Sequence, residues 1–415
     1  MLAFVSESGF FQLQSSQPRL RLRIRPAAES RVRGGHPWIF AESIREQNRE
    51  GTAGETAAVY DRNDKLLALG LYDPASPIRL RVLHRGKPAR LDYEWWKQRF
   101  QAALTLRGRL RDENTTGLRL INGENDGWPG LVLDQYASTL VVKLYTTAWL
   151  PHLNALSALA QEALDPERLV LRLSRNISNA AHALIGRRDG ETLVGTRPEG
   201  PILFRESGLT FEADVLRGQK TGFFLDQREN RRRAEQLAGG RDVLNAFSFT
   251  GGFSVYAARG GAVSITDLDI SEHALTGAKR NFQLNQTTPA VRRARHDCIQ
   301  ANAFDWLPES GKPRFGLIIL DPPSLAKREA ERKGAVQAYE HLASVAMKSL
   351  RKGGILVSCS CSAHVSETEF FQTVRHGVAR AKRRFEEIER TGHAADHPAN
   401  FPEANYLKAI YLRIE

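Results

Sequence analysis

Cysteine is scarce in this sequence, which has three cysteines in 415 residues and no CxxC pair. This excludes a disulfide framework and the usual zinc sites, so we expect no metal ion and a reducing, cytoplasmic environment. No apolar run approaches the roughly 18 residues that a membrane-spanning helix needs, so no membrane partner is expected. The N-terminus also lacks the basic segment of a signal peptide, and we interpret residues 1–17 as a flexible tail.

Acidic residues are outnumbered, because 59 Lys and Arg stand against 47 Asp and Glu and give a net charge of +12. A basic surface of this size suits a polyanion such as RNA, although many soluble proteins share it. The hydrophobic content of 41% is ordinary for a soluble globular protein. The length allows two or three domains.

The dinucleotide signature GxGxxG is absent as well. Residues 242–269 instead predict a strand, a turn with Gly251 and Gly252, a helix, a second strand and the acids Asp267 and Asp269. A pyrophosphate needs a tight nest of glycine N–H groups, whereas a nucleoside with an amino-acid tail does not. An acid about 20 residues further on can accept hydrogen bonds from ribose hydroxyls. The pattern favours S-adenosylmethionine over NAD, and a βαβ unit without a ligand is the alternative.

The N-terminal part, residues 18–91, has the pattern of a small all-β domain. Residues 19–25 alternate between arginine and aliphatic residues, which predicts a strand with its aliphatic side toward a core and a row of guanidinium groups on the other side. Arginine suits RNA phosphate, and a solvated strand face is the alternative. We expect residues 31–36 to form a glycine turn and Trp38 and Phe40 to lie in the core. The candidate RNA-binding residues are Arg19, Arg21, Arg23, Arg25, Arg33 and His36.

Residues 92–195 predict a middle α+β domain without recognisable chemistry, with a basic turn and short strands over 182–195. The C-terminal domain is assigned to residues 196–415. Near its start, residues 219–228 are too polar for a core and too aromatic for a flexible hinge. This segment could wrap a ligand pocket.

Strands alternate with helices after residue 242, which predicts a doubly wound parallel sheet with its ligand at the carboxyl ends of the strands. Ser271 is expected to cap a helix that ends at Leu284. Residues 291–296 form a weak predicted strand. A later helix is expected to end at Gly353 and Gly354.

Three predicted strand ends converge on one edge of this sheet: the glycine turn with Asp269, the sequence Asp321-Pro322-Pro323, and Cys359-Ser360-Cys361. A thiolate beside a methyl donor suits methylation of pyrimidine C5, which is a poor nucleophile. Thiolate addition to C6 creates an enamine whose C5 can attack a methyl sulfonium. Asp321 is placed to protonate or hydrogen-bond N3 of the ring.

The two cysteines at this edge differ in position. Side chains alternate along a strand, so Cys359 and Cys361 point to the same face. Cys361 lies nearer the carboxyl edge and is the predicted nucleophile, with a buried, unreactive thiol as the alternative. Cys359 is expected to serve packing. The base that removes the C5 proton is not identified.

The chain resembles the class I S-adenosylmethionine-dependent 23S rRNA cytosine-C5 methyltransferases of the RlmI type over residues 18–415. The resemblance rests on motifs that occur in the same order: Gly35-His36-Pro37-Trp38, 220–228, 244–252, Asp269, Asp321-Pro322-Pro323, Ser360-Cys361-Ser362, Ala395-Asp396-His397-Pro398 and Leu407-Lys408.

The resemblance implies an N-terminal PUA domain for RNA, a middle α+β domain and a C-terminal Rossmann-like catalytic domain. It implies that Cys361 is the nucleophile and that Asp269 holds the cofactor ribose. Asn302 replaces an acid that often meets the adenine in this family, and Cys359 is an additional thiol. Asp396 and His397 close the pocket or simply form a turn. The candidate cofactor-binding residues are Asn245, Phe247, Ser248, Thr250, Gly251, Asp269, Asn302, Asp321, Phe224, Asp226, Gln227 and Arg228.

Other functions remain open at this point. A methyltransferase acting on a guanine nitrogen would need no cysteine, although Ser324 stands where such enzymes carry an aromatic residue after Asp-Pro-Pro. An inactive RNA-binding assembly factor and a nicotinamide oxidoreductase are further alternatives. The expected partner is 23S rRNA, and a homodimer is compatible with the sequence.

Overall fold

The computed structural model of the chain describes residues 18–415. They form two compact units, the first made of 18–202 with 213–223 and the second of 203–212 with 224–415. The tail predicted at 1–17 lies outside the described residues. The domain boundaries predicted after residues 91 and 195 stay predictions. Within residues 18–415, no helix is long and apolar enough to cross a bilayer.

The first unit begins with a six-stranded sheet. Its elements are β1 (Arg21–Ile24), helix α1 (Pro26–Arg33), β2 (Trp38–Phe40), β3 (Ile44–Gln47), β4 (Thr56–Tyr60), β5 (Leu66–Tyr72) and β6 (Ile78–Arg85). The strand order is β2-β6-β5-β4-β1-β3. The predicted alternation is confirmed, because Leu20, Leu22 and Ile24 are fully buried while the arginines between them reach the surface.

Two predictions in this sheet are wrong. Residues 31–33 belong to helix α1, which starts with Pro26 in its first turn, where proline has no N–H to lose. Trp38 and Phe40 are only half-buried, and Ile39 between them takes the core position. The short strand β2 therefore shows its aromatic side chains partly to solvent.

A second sheet of the first unit has the order β11-β10-β9-β8-β7. Its elements are helix α2 (Tyr93–Arg107), β7 (Gly117–Asn122), β8 (Leu131–Tyr136), β9 (Thr139–Leu144), α3 (Leu153–Leu164), β10 (Arg168–Leu173), α4 (Ser178–Ile185) and β11 (Glu191–Val194). Helix α4 occupies part of the region predicted as a turn with strands. A cluster of buried tryptophans, Trp96, Trp128 and Trp149, fills the core with ring centroids 4.8–5.6 Å apart.

The second unit carries the larger sheet, with the strand order β16-β15-β14-β17-β18-β20-β19. Before this sheet, strands β12 (Ile202–Glu206) and β13 (Leu209–Ala213) form a hairpin. The later elements are α5 (Arg228–Leu237), β14 (Asp242–Ala246), α6 (Gly252–Arg259), β15 (Ser264–Asp269), α7 (Glu272–Leu284), α8 (Pro289–Arg293), β16 (Arg295–Gln300), α9 (Ala303–Glu309), β17 (Phe315–Leu320), α10 (Arg332–Ala346), β18 (Leu350–Ser360), α11 (Glu367–Arg380), β19 (Phe385–Thr391) and β20 (Lys408–Ile414).

The first five strands in the order of the sheet, β16-β15-β14-β17-β18, pair in parallel, as predicted. Strand β20 runs antiparallel to both β18 and β19. Strands β14 and β17 and the part of β18 from Gly354 onward are largely buried, as expected for a sheet covered on both faces. Ser271 caps α7 by accepting a hydrogen bond from the N–H of Ala274, which confirms its predicted role.

Two predictions in the second unit need correction. Residues 289–293 form helix α8, and strand β16 starts only at Arg295 and includes Cys298. Gly353 and Gly354 do not end a helix but lie inside β18, where the pairing with β17 shifts register. Gly353 has a φ of 72° there, which suits glycine in a bulge.

Helices α10 and α11 approach closely at Gly377, where an added Cβ would lie 2.4 Å from the Glu340 carbonyl oxygen. We expect Gly377→Ala to destabilise the protein by about 1–3 kcal/mol through overpacking. Gly334→Ala is the matched control, because no atom lies within 4 Å of its added Cβ and alanine favours a helix by about 0.5–1 kcal/mol. Urea unfolding should give the two substitutions opposite signs, and equal effects would contradict this packing.

Candidate active site

The predicted site residues follow adjacent strands of the large sheet. Ser248 follows β14, Asp269 ends β15, Asp321 follows β17, and Cys361 follows β18. Because β15, β14, β17 and β18 are neighbours and run in parallel, all four residues lie at the same edge of the sheet. The predicted convergence of strand ends is therefore present.

The turn after β14 has an unusual backbone, which Asp269 supports. Phe247, Phe249 and Gly251 have φ values of 60°, 48° and 71°. The Asp269 carboxylate accepts hydrogen bonds from the N–H of Phe249 and from the N–H of Ser271, both at 2.9 Å. Each oxygen keeps a lone pair for a further donor. Asp269 can thus hold the turn and still accept a hydroxyl of a ligand.

Buried polar atoms around this turn lack partners. Within residues 18–415, Ser248 Oγ, Thr250 Oγ1 and Asn245 Oδ1 are buried and form no hydrogen bond. Leaving such a group unsatisfied costs about 1–3 kcal/mol. A polar ligand at this turn would supply the missing partners. The Asn245 amide group itself donates to Ser254 Oγ at 2.9 Å and to Asp267 Oδ1 at 3.0 Å.

Asp321 is held by a chain of amides and hydroxyls. Gln227 donates its Nε2–H to Asp321 Oδ1 at 2.9 Å. The other end of the Gln227 amide accepts from Asn230 Nδ2 at 2.6 Å, and Thr391 donates its hydroxyl to Asn230 Oδ1 at 2.6 Å. This chain fixes the orientation of the Gln227 amide and so the position of the carboxylate. The contact that the structure shows for Gln227 is thus one that positions Asp321, and its predicted contact with the cofactor stays a prediction.

Cys361 lies on a loop that contacts the loop carrying Asp321. The half-buried Cys361 has its Sγ 3.9 Å from the Pro322 carbonyl oxygen. Ser362 Oγ accepts hydrogen bonds from the N–H groups of Leu325 and Ala326, at 3.1 and 3.2 Å. The buried Ser362 thus joins the two loops.

Lys408 binds the backbone of the loop that carries Cys361. It is 1% exposed, lies opposite Ser360 in the pairing of β18 with β20, and donates its ammonium N–H groups to the carbonyl oxygens of Ser362 and Val365 at 2.7 and 2.5 Å. Burial lowers the pKa of Lys408 to about 8, although a negative charge on Cys361 would raise it. By reciprocity, the ammonium favours the thiolate of Cys361.

Cys359 differs from Cys361 in its surroundings. It is completely buried in β18. Burial raises the pKa of its thiol well above the ordinary value, and the negative charge of Asp321 adds to that effect. A neutral, inaccessible thiol is suited to packing.

The segment 224–228 is fixed by contacts within the second unit. The Phe224 ring packs edge-on against Phe249, with centroids 5.0 Å apart. Asp226 accepts a hydrogen bond from the Tyr406 hydroxyl at 2.7 Å. Arg228 is buried and forms a two-pronged ion pair with Asp396 at 2.6 and 3.2 Å. The segment thus borders the glycine turn through Phe224, while Arg228 anchors it.

Asp396, His397 and Asn302 have structural contacts of their own. His397 Nδ1 lies 2.9 Å from Asp396 Oδ1. Burial opposes the charged form of Asp396, but His397 and then Arg228 outweigh it and hold the pKa of this carboxyl group below its usual range. Asn302 is exposed and caps helix α9 by accepting from the N–H of Phe304 at 3.1 Å. The nearby Phe304 ring packs edge-on against Phe247 at 5.7 Å.

The candidate RNA-binding residues are at the surface of the first unit, and some already have partners. Arg23 pairs with Asp64 at 2.6 Å and Arg33 with Asp61 at 2.5 Å. Arg19, Arg21 and Arg25 are exposed. His36 is half-buried, with its ring 3.2 Å from Arg31. The charge of the row is therefore partly neutralised.

A buried network beneath the glycine turn was not predicted. Asp267 accepts hydrogen bonds from Ser254 Oγ at 2.5 Å and from His296 Nε2 at 2.7 Å. The Phe282 ring stacks on His296 at 4.2 Å. Burial opposes the charged form of His296, but the bonds to Asp267 and Cys298 outweigh it and raise its pKa to about 9. The available signal was Asp267, a second acid two residues before Asp269 in β15.

The chain was compared with known proteins. A family model described as S-adenosylmethionine-dependent methyltransferase matches residues 118–413, and one described as PUA-like domain matches residues 22–85. A protein of Deinococcus radiodurans named ribosomal RNA large subunit methyltransferase is 56% identical over 409 residues, 97% of this chain and 99% of its own. A ribosomal RNA large subunit methyltransferase I of Shewanella frigidimarina is 34% identical over 411 residues, 95% of this chain and 99% of its own.

Solved structures share the fold. A putative S-adenosylmethionine-dependent methyltransferase from Streptococcus mutans superimposes with a TM-score of 0.79 at 20% identity, over 95% of this chain and 99% of its own. A putative methyltransferase in complex with S-adenosylhomocysteine gives the same TM-score.

The His296–Asp267 pair predicts a pH dependence of stability. The pKa of His296 is about 9 in the fold against an ordinary 6.5, so its contribution is complete below pH 6.5 and disappears as the pH rises past 9. We expect the free energy of unfolding to fall by about 2–3 kcal/mol over this range.

His296→Gln keeps a donor toward Asp267 but does not titrate, so its unfolding free energy should change less over the same range. Urea titrations at pH 6 and pH 9.5 measure the difference. Parallel losses in both proteins would show that other groups dominate.

Proposed function

The chain belongs to the S-adenosylmethionine-dependent methyltransferases of large-subunit ribosomal RNA, and from that premise we propose that it methylates C5 of a cytosine in 23S rRNA through a covalent bond from Cys361 to C6. The matches confirm the predicted fold class, with a PUA-like β domain and a Rossmann-like methyltransferase domain. Its cofactor is S-adenosylmethionine, as the sequence predicted.

The cofactor fits the polar atoms at the turn after β14. When bound, S-adenosylmethionine supplies a methyl group on a positively charged sulfur. We assign Asp269 to the ribose hydroxyls, since its carboxylate has lone pairs left after supporting the turn. Ser248 and Thr250 offer buried hydroxyls without partners among residues 18–415. Three side chains would border the adenosine when the cofactor is bound: Phe224, Phe247 and Asn302. Three others would support the surrounding segments through their side-chain hydrogen bonds: Asn245, Asp226 and Arg228.

Cys361 is the nucleophile in this proposal. Its thiolate donates an electron pair to C6 of the cytosine, forming an S–C6 bond while the C5–C6 double bond supplies electrons to C5. After C5 carries the methyl group, loss of the C5 proton returns an electron pair to the ring. The C5–C6 double bond then re-forms and the S–C6 bond breaks, releasing the thiolate. The Lys408 ammonium stabilises the Cys361 thiolate before it attacks C6 and again after it is released.

Asp321 acts on the polar edge of the base. Asp321 either protonates N3 or forms a hydrogen bond with it, and so stabilises the ring as electrons move toward N3 during the addition. Gln227 keeps the carboxyl group in place through its bond to Oδ1. The observation that carries the proposal is the connection through Ser362, which holds the Asp321 loop and the Cys361 loop against each other.

We propose that the protein acts in the cytoplasm on its rRNA substrate, and that the exposed arginines in and beside β1 contact the RNA phosphates. Analytical ultracentrifugation measures whether the protein forms the homodimer that the sequence allows. The matches do not support a nicotinamide enzyme, in keeping with the missing glycine nest.

Cys361→Ala tests the covalent chemistry directly. We expect methyl transfer to 23S rRNA to fall by at least about 10³-fold, because C5 then lacks activation, while calorimetry shows unchanged S-adenosylmethionine binding. Cys359→Ala is the matched control and should retain most of the activity. Mass spectrometry of the native product should find 5-methylcytosine. Undiminished turnover of Cys361→Ala would instead indicate methylation of a guanine nitrogen.

Lys408→Met tests the electrostatic support of the thiolate. We expect the pH profile of Cys361 alkylation by iodoacetamide, followed by peptide mass spectrometry, to move to higher pH when the ammonium is removed. Alkylation of the half-buried Cys298 in the same samples is the internal control and should not move. An unchanged Cys361 profile in a folded variant would assign Lys408 to loop structure alone.

A further inference from the structure

A cleft of about 570 Å³ opens on the first unit, and none of its lining residues is among those discussed for methyl transfer. Strand β6 and helix α2 form two of its sides, and the loop 124–127 forms the third. The lining residues that matter here are Arg85, Trp95, Arg99, Leu106, Asn125 and Gly127. The cleft thus combines cations, an aromatic ring, an amide and an aliphatic side chain.

Two arginines in this cleft have no acidic partner. Within residues 18–415, neither Arg85 nor Arg99 has a carboxylate oxygen within 4.0 Å. Arg99 donates to the carbonyl oxygen of Gly127 at 3.0 Å, and Arg85 donates to that of Gly35. Burial lowers the pKa of Arg99 to about 10, and the positive charge of Arg85 adds to the effect. Two like charges are therefore held close together without compensation.

The acids of the cleft are committed to other groups. Asp126 accepts two hydrogen bonds from Arg107, at 2.8 and 2.6 Å. Glu124 accepts from the Trp38 indole N–H at 2.8 Å and lies 3.9 Å from Arg81. Neither acid offsets the charge of Arg85 and Arg99. An anion that fits between these two guanidinium groups would neutralise that charge.

The Arg99 guanidinium is held in a fixed place. It lies over the Trp95 ring, 4.2 Å from the centroid. Gly127, with a φ of 75°, has no side chain to push it away, and an added Cβ would lie 1.9 Å from Arg99 Nη1. A guanidinium that is held before binding loses less entropy when it binds a ligand.

We propose that this cleft binds a phosphodiester of the RNA substrate between Arg85 and Arg99, with Leu106 and Asn125 against the adjacent nucleoside. The inference rests on the proposed function, because it takes RNA as the substrate. Guanidinium groups match the geometry of phosphate oxygens, and Leu106, which is 70% exposed, offers the apolar contact that a base or ribose prefers. None of the candidate arginines in and near β1 lines this cleft, and two of them, Arg23 in β1 and Arg33 in α1, already pair with acids.

The test replaces both arginines. We expect R85Q/R99Q to bind a 23S rRNA transcript at least about tenfold more weakly in filter binding, and the slope of log K against log salt to fall by about one, as for one lost phosphate contact. R109Q/R111Q is the matched control, because these exposed arginines lie outside the cleft and lose the same charge. Equal losses in both double variants would overturn the site.

A second variant separates position from charge. Gly127→Ala keeps the net charge but displaces the Arg99 guanidinium, so rRNA binding should weaken while a thermal melt confirms folding. Competition with inorganic phosphate and AMP distinguishes the source of the phosphate. If AMP binding depends on Arg85 and Arg99 while rRNA binding does not, the cleft takes a free nucleotide and the proposal fails.

The outcomes also separate this inference from the proposed function. If R85Q/R99Q binds and methylates rRNA like the native protein, the cleft assignment is wrong and the function stands. If the native protein neither binds nor methylates rRNA, both fail. Calorimetry with S-adenosylmethionine should give the same affinity for all variants, because every substituted residue belongs to the first unit and the proposed cofactor site to the second.

Discussion

The proposed chemistry depends on one side chain that joins two loops. Ser362 Oγ accepts hydrogen bonds from the backbone N–H groups of Leu325 and Ala326. It also lies 2.9 Å from the Tyr339 hydroxyl oxygen, which accepts a hydrogen bond from the Ser360 hydroxyl. The Ser362 carbonyl in turn accepts from Lys408. A thiol and a carboxyl group on separate loops must keep their distance to act on one ring. Here buried hydrogen bonds, rather than direct contact between the two groups, supply that constraint.

Much of this edge of the sheet was accessible from the sequence. Apolar runs of strand length, each followed by a polar group, predicted where β14, β15, β17 and β18 end, because parallel strands finish at a common edge. The alternation at residues 19–25 predicted the burial of Leu20, Leu22 and Ile24. In both cases the local pattern and the tertiary environment agree.

The failures arise where one residue type serves two purposes. Gly353 and Gly354 were interpreted as the end of a helix, whereas they allow a bulge inside β18. Trp38 and Phe40 were expected in the core because they are aromatic, yet Ile39 is the buried residue of that strand. The hydrogen bond from Gln227 to Asp321 carried no sequence signal, since the two residues lie far apart along the chain. Lys408 did carry a signal, a charge at the start of the otherwise apolar run 408–412.

The hairpin of β12 and β13 has a consequence for how this protein can be divided. The polypeptide changes unit at 202–203, again at 212–213 and again at 223–224. A single scission therefore cannot release either unit intact. A fragment beginning at residue 224 would lack Glu206, whose carboxylate forms an ion pair with Arg231 at 2.7 Å. A fragment ending at residue 202 would lack Thr221, whose hydroxyl donates a hydrogen bond to Asp134 at 2.5 Å. Neither unit can therefore be produced intact as one uninterrupted fragment of the chain.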